Sequence, residues 1–203
     1  MTRVAICGVA RTPIGKFRGS LSNLSAVDLG IRAVKELLHR CNIDPETGII
    51  DELLFGQVLQ AGAGQAPARQ VALGAGLPNT IAATTINKVC GSSLKAVMMA
   101  ANSIRAGQTK VVIAGGMESM TNAPKFEKRN GDEKEMVSTM VHDGLWDVYN
   151  DLHMGNTGEI IANECNISRE KMDSFAARSQ HLAAQAEQSG WFDWERFEMP
   201  ELN

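Results

Sequence analysis

Cys90 stands in the run Ala83-Thr84-Thr85-Ile86-Asn87-Lys88-Val89-Cys90-Gly91-Ser92-Ser93-Leu94, where a strand-like stretch turns through Gly-Ser-Ser into a helix. A helix N-terminus carries unpaired N–H groups and a partial positive charge, which favour thiolate over thiol and can hold an oxyanion. The chemistry this suits is acyl transfer through a thioester. The competing reading is a small apolar side chain packed into a tight turn, the commoner fate of a single cysteine. A second candidate is His153, in the run His153-Met154-Gly155 just before the helix start Asn156-Thr157-Gly158-Glu159; its imidazole could face a pocket there or simply be structural. His39, His142 and His181 have no such context and read as solvated or capping residues. Met98, Met99, Met117 and Met120 cluster around the Cys90 segment, as core filler or as soft walls of an acyl tunnel.

Other constellations are weaker. Cys7, Cys41, Cys90 and Cys165 are far apart, with no Cys-x-x-Cys pair and no histidine at ligand spacing, so neither a disulfide framework nor a metal site is indicated. Gly62-Ala63-Gly64-Gln65-Ala66-Pro67 offers two glycines of a dinucleotide fingerprint, but the third position is Pro67 and no Lys-Ser or Lys-Thr follows. Small residues there more readily serve close backbone approach, at a subunit contact or an active-site edge.

The elements that must position these residues alternate between strand and helix in the first half, which argues for an α/β layered fold with parallel crossovers. Val4 to Val9 reads as a strand. Ser25 caps a helix running to about Arg40, with Gly30, Ala33, Val34, Leu37 and Leu38 inward and Cys41 packed at its end. Asp51 to Leu59 is a second strand, a short helix begins near Pro67, and Ile81 to Ile86 is a third strand. The helix after Cys90 shows Leu94, Val97, Met98, Ala101 and Ile104 on one face, and Lys110 to Ala114 is a fourth strand. Beyond Ser119 the texture changes: Lys125 to Glu135 reads as a solvated loop, followed by helices over Gly155 to Asn166 and Ser168 to Gln188. Phe175, Ala176 and Leu182 suit docking on a neighbour, and Trp191, Phe192, Trp194 and Phe197 form an aromatic end that wants a partner surface or covers a local helix pair.

At 203 residues, 44% hydrophobic, the chain can bury a core of one or two domains. A net charge of -3, with 20 basic and 23 acidic residues and no basic stripe, gives a nucleic-acid surface little support. The apolar N-terminus meets Arg11 and Pro13 before a secretory core or membrane span develops, so a reducing cytoplasm fits and a membrane does not.

Four stretches, Ala10 to Leu21, Gly56 to Gln70, Asn87 to Val97 and Ala114 to Pro124, together with the His153-Met154-Gly155 loop, follow one another as in a known family. In them the chain resembles the thiolases, and specifically their biosynthetic acetyl-CoA acetyltransferase branch, over essentially its whole length. The resemblance implies a thiolase-like layered fold. Residues 1–119 would be an incomplete N-terminal core domain, a mixed sheet with flanking helices, and residues 120–203 part of the substrate-binding loop domain. It implies that Cys90 is acetylated by acetyl-CoA, that its own N–H donates to the oxyanion, and that a second acetyl-CoA is condensed to acetoacetyl-CoA and CoA. His153 and Met154 match positions lining the acyl and pantetheine pocket. No tightly bound cofactor and no metal are implied; CoA thioesters are substrates, and a homo-oligomer is expected.

Thiolases are longer chains, and this sequence stops inside the loop domain. Missing are the second core domain, the strand returning to the first core layer, the Gly-His-Pro histidine that activates the nucleophile, and the Cys-x-Gly cysteine that moves the substrate proton. The chain alone should therefore turn over little, whether it is a split gene product with a separate C-terminal thiolase chain as partner, a truncation or an isolated half. Two other readings are a non-catalytic module that binds acyl-CoA or a protein, and a ketosynthase-type condensing enzyme, against which the His-Met-Gly loop speaks. Ser93 stands where Gly is common in the family, and Gly158 where Ala is usual.

Overall fold

The computed structural model describes residues 3–202. Its first helix, α1 (Ala26–Arg40), starts at a capping box: the Ser25 hydroxyl accepts the Asp28 N–H while the Asp28 carboxylate accepts the Ser25 N–H. The helix buries Ala26, Gly30, Val34 and Leu38; of the expected stripe, Ala33 and Leu37 are only half-buried. The strand β1 (Glu52–Gly56) follows, then α2 (Pro67–Gly74), β2 (Ala82–Ile86), α3 (Ser92–Arg105) and β3 (Val112–Gly116). The three strands form one parallel sheet in the order β2-β1-β3, with Gly56 registered on Ile86 and on Gly116.

From β1 the chain steps to β2 and then back across β1 to β3, so right-handed crossovers send α2 and α3 to opposite faces of the sheet. Side-chain alternation follows. Leu53, Phe55 and Ile113 pack with Val34, Leu38 and Val71 in the larger core under α1 and α2. Leu54, flanked by Val112 and Ala114, packs with Ala96 and Ala100 under α3. Leu53 and Leu54 are completely enclosed, and each such side chain contributes about 1.5–3 kcal/mol of transfer free energy.

Three expectations are corrected. Val4 to Val9 enters no ladder among the described residues, and Ile6 stays exposed. β-rich composition supplies propensity only, while strands are held by cross-strand neighbours. The segment Lys125 to Glu135 is not a loop but most of a hairpin, β4 (Lys125–Asn130) with β5 (Glu133–Ser138), turning at Gly131 with φ +64. Charged side chains on the ribbon hid its alternation; Glu127 pairs with Arg129 on its own strand and Lys134 on the other. Finally, α3 turns its small residues Ser92, Ala96 and Ala100 to the sheet, leaving Leu94, Val97 and Met98 67%, 38% and 50% exposed. The helix lies too close to the strand ends for large residues on that side.

Beyond the hairpin, Thr139 opens α4 (Thr139–Gly144), its buried hydroxyl donating to the Pro124 carbonyl at 2.6 Å. The two-residue strands β6 (Trp146–Asp147) and β7 (Leu152–His153) then lead into α5 (Met154–Glu164) and α6 (Arg169–Gln188), the latter capped by Ser168. Only Ala186 of α6 is buried, so Phe175 and Leu182 remain exposed. The end of the chain returns to the first layer: the Arg11 N–H donates to the Glu195 carbonyl, the Arg40 guanidinium to the Trp194 and Arg196 carbonyls, and Met199 is buried. Trp191 and Trp194 stay exposed, whereas Phe192 stacks under the Arg11 guanidinium at 5.5 Å.

Candidate active site

Cys90 lies one residue before Gly91, the N-cap of α3, and its side chain is exposed. The turn that presents it is built from local hydrogen bonds. The Asn87 carboxamide accepts the Val89 N–H at 3.0 Å, and the Ser92 hydroxyl accepts the Lys88 N–H at 2.8 Å while donating to the Val89 carbonyl at 2.6 Å. Val89 is thereby held at φ +47, a left-handed conformation that costs a β-branched residue about 1–2 kcal/mol. The strained residue sharpens the corner so that Cys90 projects outward. Among the described residues the Cys90 N–H donates to no other group, which leaves it free beside the sulfur.

The corner stands over the carboxyl ends of β1 and β3, the usual place for a ligand in an open parallel sheet. Gly56 and Gly116 end these strands side by side and let the first turn of α3 settle onto them: a Cβ on Gly56 would lie 2.7 Å from the Ser92 Cβ and the Ser93 N, and one on Gly116 would collide with the Ser93 Oγ. A cleft of about 480 Å³ opens at this junction. Cys90, Ser92 and Ser93 form one wall, Val58 and Leu59 another, and Met117, Glu118 and Met120 a third, with Gly144 and Leu145 brought in by α4 and the residue after it. Of the methionine cluster anticipated around Cys90, Met117 and Met120 reach the cleft; Met98 is exposed on α3.

Sequence reasoning missed the residues that brace this cleft. The Glu118 carboxylate accepts the Val58 and Leu59 N–H groups at 2.9 and 3.3 Å, tying the loop after β1 to the end of β3. Gln57 is buried, donates its amide to the Leu59 carbonyl, and keeps its Oε1 without a partner. The Ser92 hydroxyl role was foreshadowed only by the Gly-Ser-Ser corner, and nothing in the order of residues signals that Glu118 reaches back sixty positions.

His153 and Met154 are not among the residues that line the cleft. They sit beside it, since β7 pairs with β6 and the Met154 N–H donates to the carbonyl of Leu145, which does line it. His153 is the N-cap of α5, its Nδ1 accepting the Gly155 N–H at 3.0 Å. That bond engages the Nδ1 lone pair with the first turn of α5. The Gln60 to Ala66 loop also stays outside the cleft, pinned by the Gln70 amide on the Ala63 and Gln65 carbonyls. Among the described residues no group of three or more His, Cys, Asp or Glu side chains could hold a metal, and no helix is long and apolar enough to cross a membrane.

Comparison with known proteins gives the family of the chain. The family of thiolase N-terminal domains matches residues 4–198. Acetyl-CoA acetyltransferase 2 of Arabidopsis thaliana is 51% identical over 197 residues, covering 95% of this chain and 48% of the relative. Acetyl-CoA acetyltransferase of Cupriavidus necator is 51% identical over 201 residues, covering 96% of this chain and 50% of the relative, and a probable acetyl-CoA acetyltransferase of Escherichia coli K12 is 48% identical over 197 residues, covering 95% and 50%. The chain spans about half the length of these relatives. With its strand-corner-helix presentation of Cys90 at the ends of a parallel sheet, the chain belongs to the thiolase family and corresponds to its N-terminal domain.

Proposed function

We propose that this chain is the nucleophile-bearing portion of an acetyl-CoA acetyltransferase, which condenses two acetyl-CoA molecules to acetoacetyl-CoA and CoA through an acetyl thioester on Cys90. The observation that carries the reading is the exposed Cys90 sulfur at the mouth of an apolar cleft, next to its own unengaged N–H and the start of α3. The thiolate attacks the thioester carbonyl, the negative charge that develops on oxygen meets the Cys90 N–H, and CoA leaves with the electron pair of the broken C–S bond. A second acetyl-CoA, deprotonated at its methyl carbon, attacks the acyl carbonyl and releases the Cys90 thiolate. His153 and Met154, which adjoin the cleft through Leu145, are assigned in this reading to the border of the pantetheine arm of the substrate.

Among the described residues that line the cleft there is no histidine, the Glu118 carboxylate is committed to the Val58 and Leu59 N–H groups, and the His153 Nδ1 beside the cleft accepts the Gly155 N–H, so in this reading the general base comes from elsewhere. The complementary half of a thiolase would bring the Gly-His-Pro histidine and the Cys-x-Gly cysteine. The exposed face of α3 formed by Leu94, Val97 and Met98 and the one-sided pairing of the edge strand β3 are surfaces such a half would cover. It follows that the chain alone condenses acetyl-CoA slowly or not at all, because acid–base assistance and a second oxyanion donor each contribute on the order of 10²–10⁴-fold. Mixing it with a chain bearing the two missing motifs should restore acetoacetyl-CoA formation, with an acetyl adduct on Cys90 seen by peptide mass spectrometry and lost in Cys90→Ala. Condensation by the separated chain at an ordinary enzyme rate, or full activity of the mixture with Cys90→Ala, would overturn the reading.

A further inference from the structure

Ser93 is three residues past Cys90, in the first turn of α3, and both line the same cleft. Its side chain fills the space over the end of β3 that Gly116 leaves empty. Whereas Ser92 commits its hydroxyl to the Lys88 N–H and the Val89 carbonyl, no hydrogen bond of the Ser93 hydroxyl is found among the described residues. The neighbouring walls at Val58, Leu59, Met120 and Leu145 are apolar, the Glu118 and Ser92 side chains are committed to backbone groups and Gln57 is buried, so the exposed Ser93 hydroxyl is an uncommitted polar group on the strand-end side of the cleft.

We propose that Ser93 is a specificity-determining residue that limits the acyl group accepted by Cys90 to two carbons or little more. This rests on the acyl-transfer reading of Cys90 given above. An acetyl group carries only a methyl beyond its carbonyl and makes the smallest demand on this wall. A longer alkyl chain directed toward the strand ends meets the hydroxymethyl group where Gly116 made room for it, and covering that hydroxyl strips its water without offering an acceptor. Volume and desolvation therefore act in the same direction.

The test uses the chain as it is, with p-nitrophenyl acetate, butyrate and hexanoate as acyl donors. These carry their own activated leaving group: the Cys90 sulfur attacks the ester carbonyl, the S–C bond forms, the C–O bond breaks and p-nitrophenolate departs, so neither CoA nor a second chain is needed. Acylation of Cys90 is followed by peptide mass spectrometry, and the hexanoate-to-acetate rate ratio within each variant cancels any general change in thiol reactivity. The ratio should rise about tenfold in Ser93→Gly, rise by less in Ser93→Ala, and fall below the parent in Ser93→Thr, the scale set by one methylene in an apolar pocket. An unchanged ratio across Gly, Ala and Thr overturns the proposal while leaving Cys90 as nucleophile. The predicted order, found together with a reconstituted enzyme that never loads Cys90 from acetyl-CoA, supports the role of Ser93 and overturns the CoA reading. Acylation of Cys7 and Cys165 but not of Cys90, even by the acetate, overturns both.

Discussion

Replacing Gly56 by alanine probes the contact that joins the sheet to the nucleophile. A Cβ on Gly56 would lie 2.7 Å from three atoms of α3, the Ser92 C and Cβ and the Ser93 N, none of them the far end of a flexible side chain. Ordinary contact begins at 3.4 Å, so the first turn of α3 must retreat by about 0.7 Å. Overpacking of this kind costs about 1–3 kcal/mol, because the neighbours that must move are backbone. The displaced turn begins two residues after Cys90, and a misplacement near 1 Å can cost on the order of 10²-fold in a positioned reaction. Urea unfolding of Gly56→Ala should show a loss of about 1–3 kcal/mol, and acylation of Cys90 by p-nitrophenyl acetate should fall at least about tenfold relative to the exposed Cys7 in the same sample. Gly158→Ala is the control: a Cβ there meets nothing within 4 Å, its backbone is ordinary helix, and alanine should stabilise α5 by about 0.5–1 kcal/mol without touching Cys90. If Gly56→Ala keeps both the parental stability and the parental Cys90 rate, α3 does not rest on the end of β1 and the account of the corner is wrong.

Two further outcomes follow from the hydrogen bonds. Ser92→Ala removes the acceptor of the Lys88 N–H and the donor to the Val89 carbonyl, so it should cost about 1–3 kcal/mol in urea unfolding and lower Cys90 alkylation as the strained Val89 corner relaxes; retention of both values would count against the brace. In acid, the Ser25 hydroxyl and N–H hold the Asp28 carboxyl below the usual carboxylate range, and the Val111 and Lys110 N–H groups do the same for Asp51. Both groups lose protons more readily folded than unfolded, so their stabilisation is present at neutral pH and disappears as pH falls from about 4 through the folded values. Urea midpoints measured from pH 7 to pH 3 should drop in that window, and the drop should shrink in Asp51→Asn.

The parts of the fold legible in the residues were those decided locally. Ser25 followed by Asp28 dictates the start of α1, Pro67 the start of α2, and Ser168 the start of α6, because caps satisfy N–H groups within one turn of themselves. The apolar face of α3 was legible as a face, but not its direction. The close approach of the helix to Gly56 and Gly116 turns Ala96 and Ala100 inward and sends Leu94 and Met98 out. Likewise, Val4 to Val9 has the composition of a strand, and the Lys125 to Ser138 ribbon lacks it, yet only the ribbon is paired, since a ladder needs a neighbour and not a propensity.

At the site, the sequence by itself determined that a cysteine stands at a strand-to-helix corner with glycines and serines around it, and chain similarity supplied the thiolase family. Tertiary structure alone decided that Cys90 opens onto a cleft over the ends of β1 and β3, that Glu118 clamps Val58 and Leu59 to its rim, and that His153 turns its Nδ1 to its own helix. The division has one physical cause. Caps, strained corners and helix-end charge act over a few residues and are written in order along the chain, whereas the cleft is a gap between elements tens of residues apart, fixed only by how closely their backbones pack.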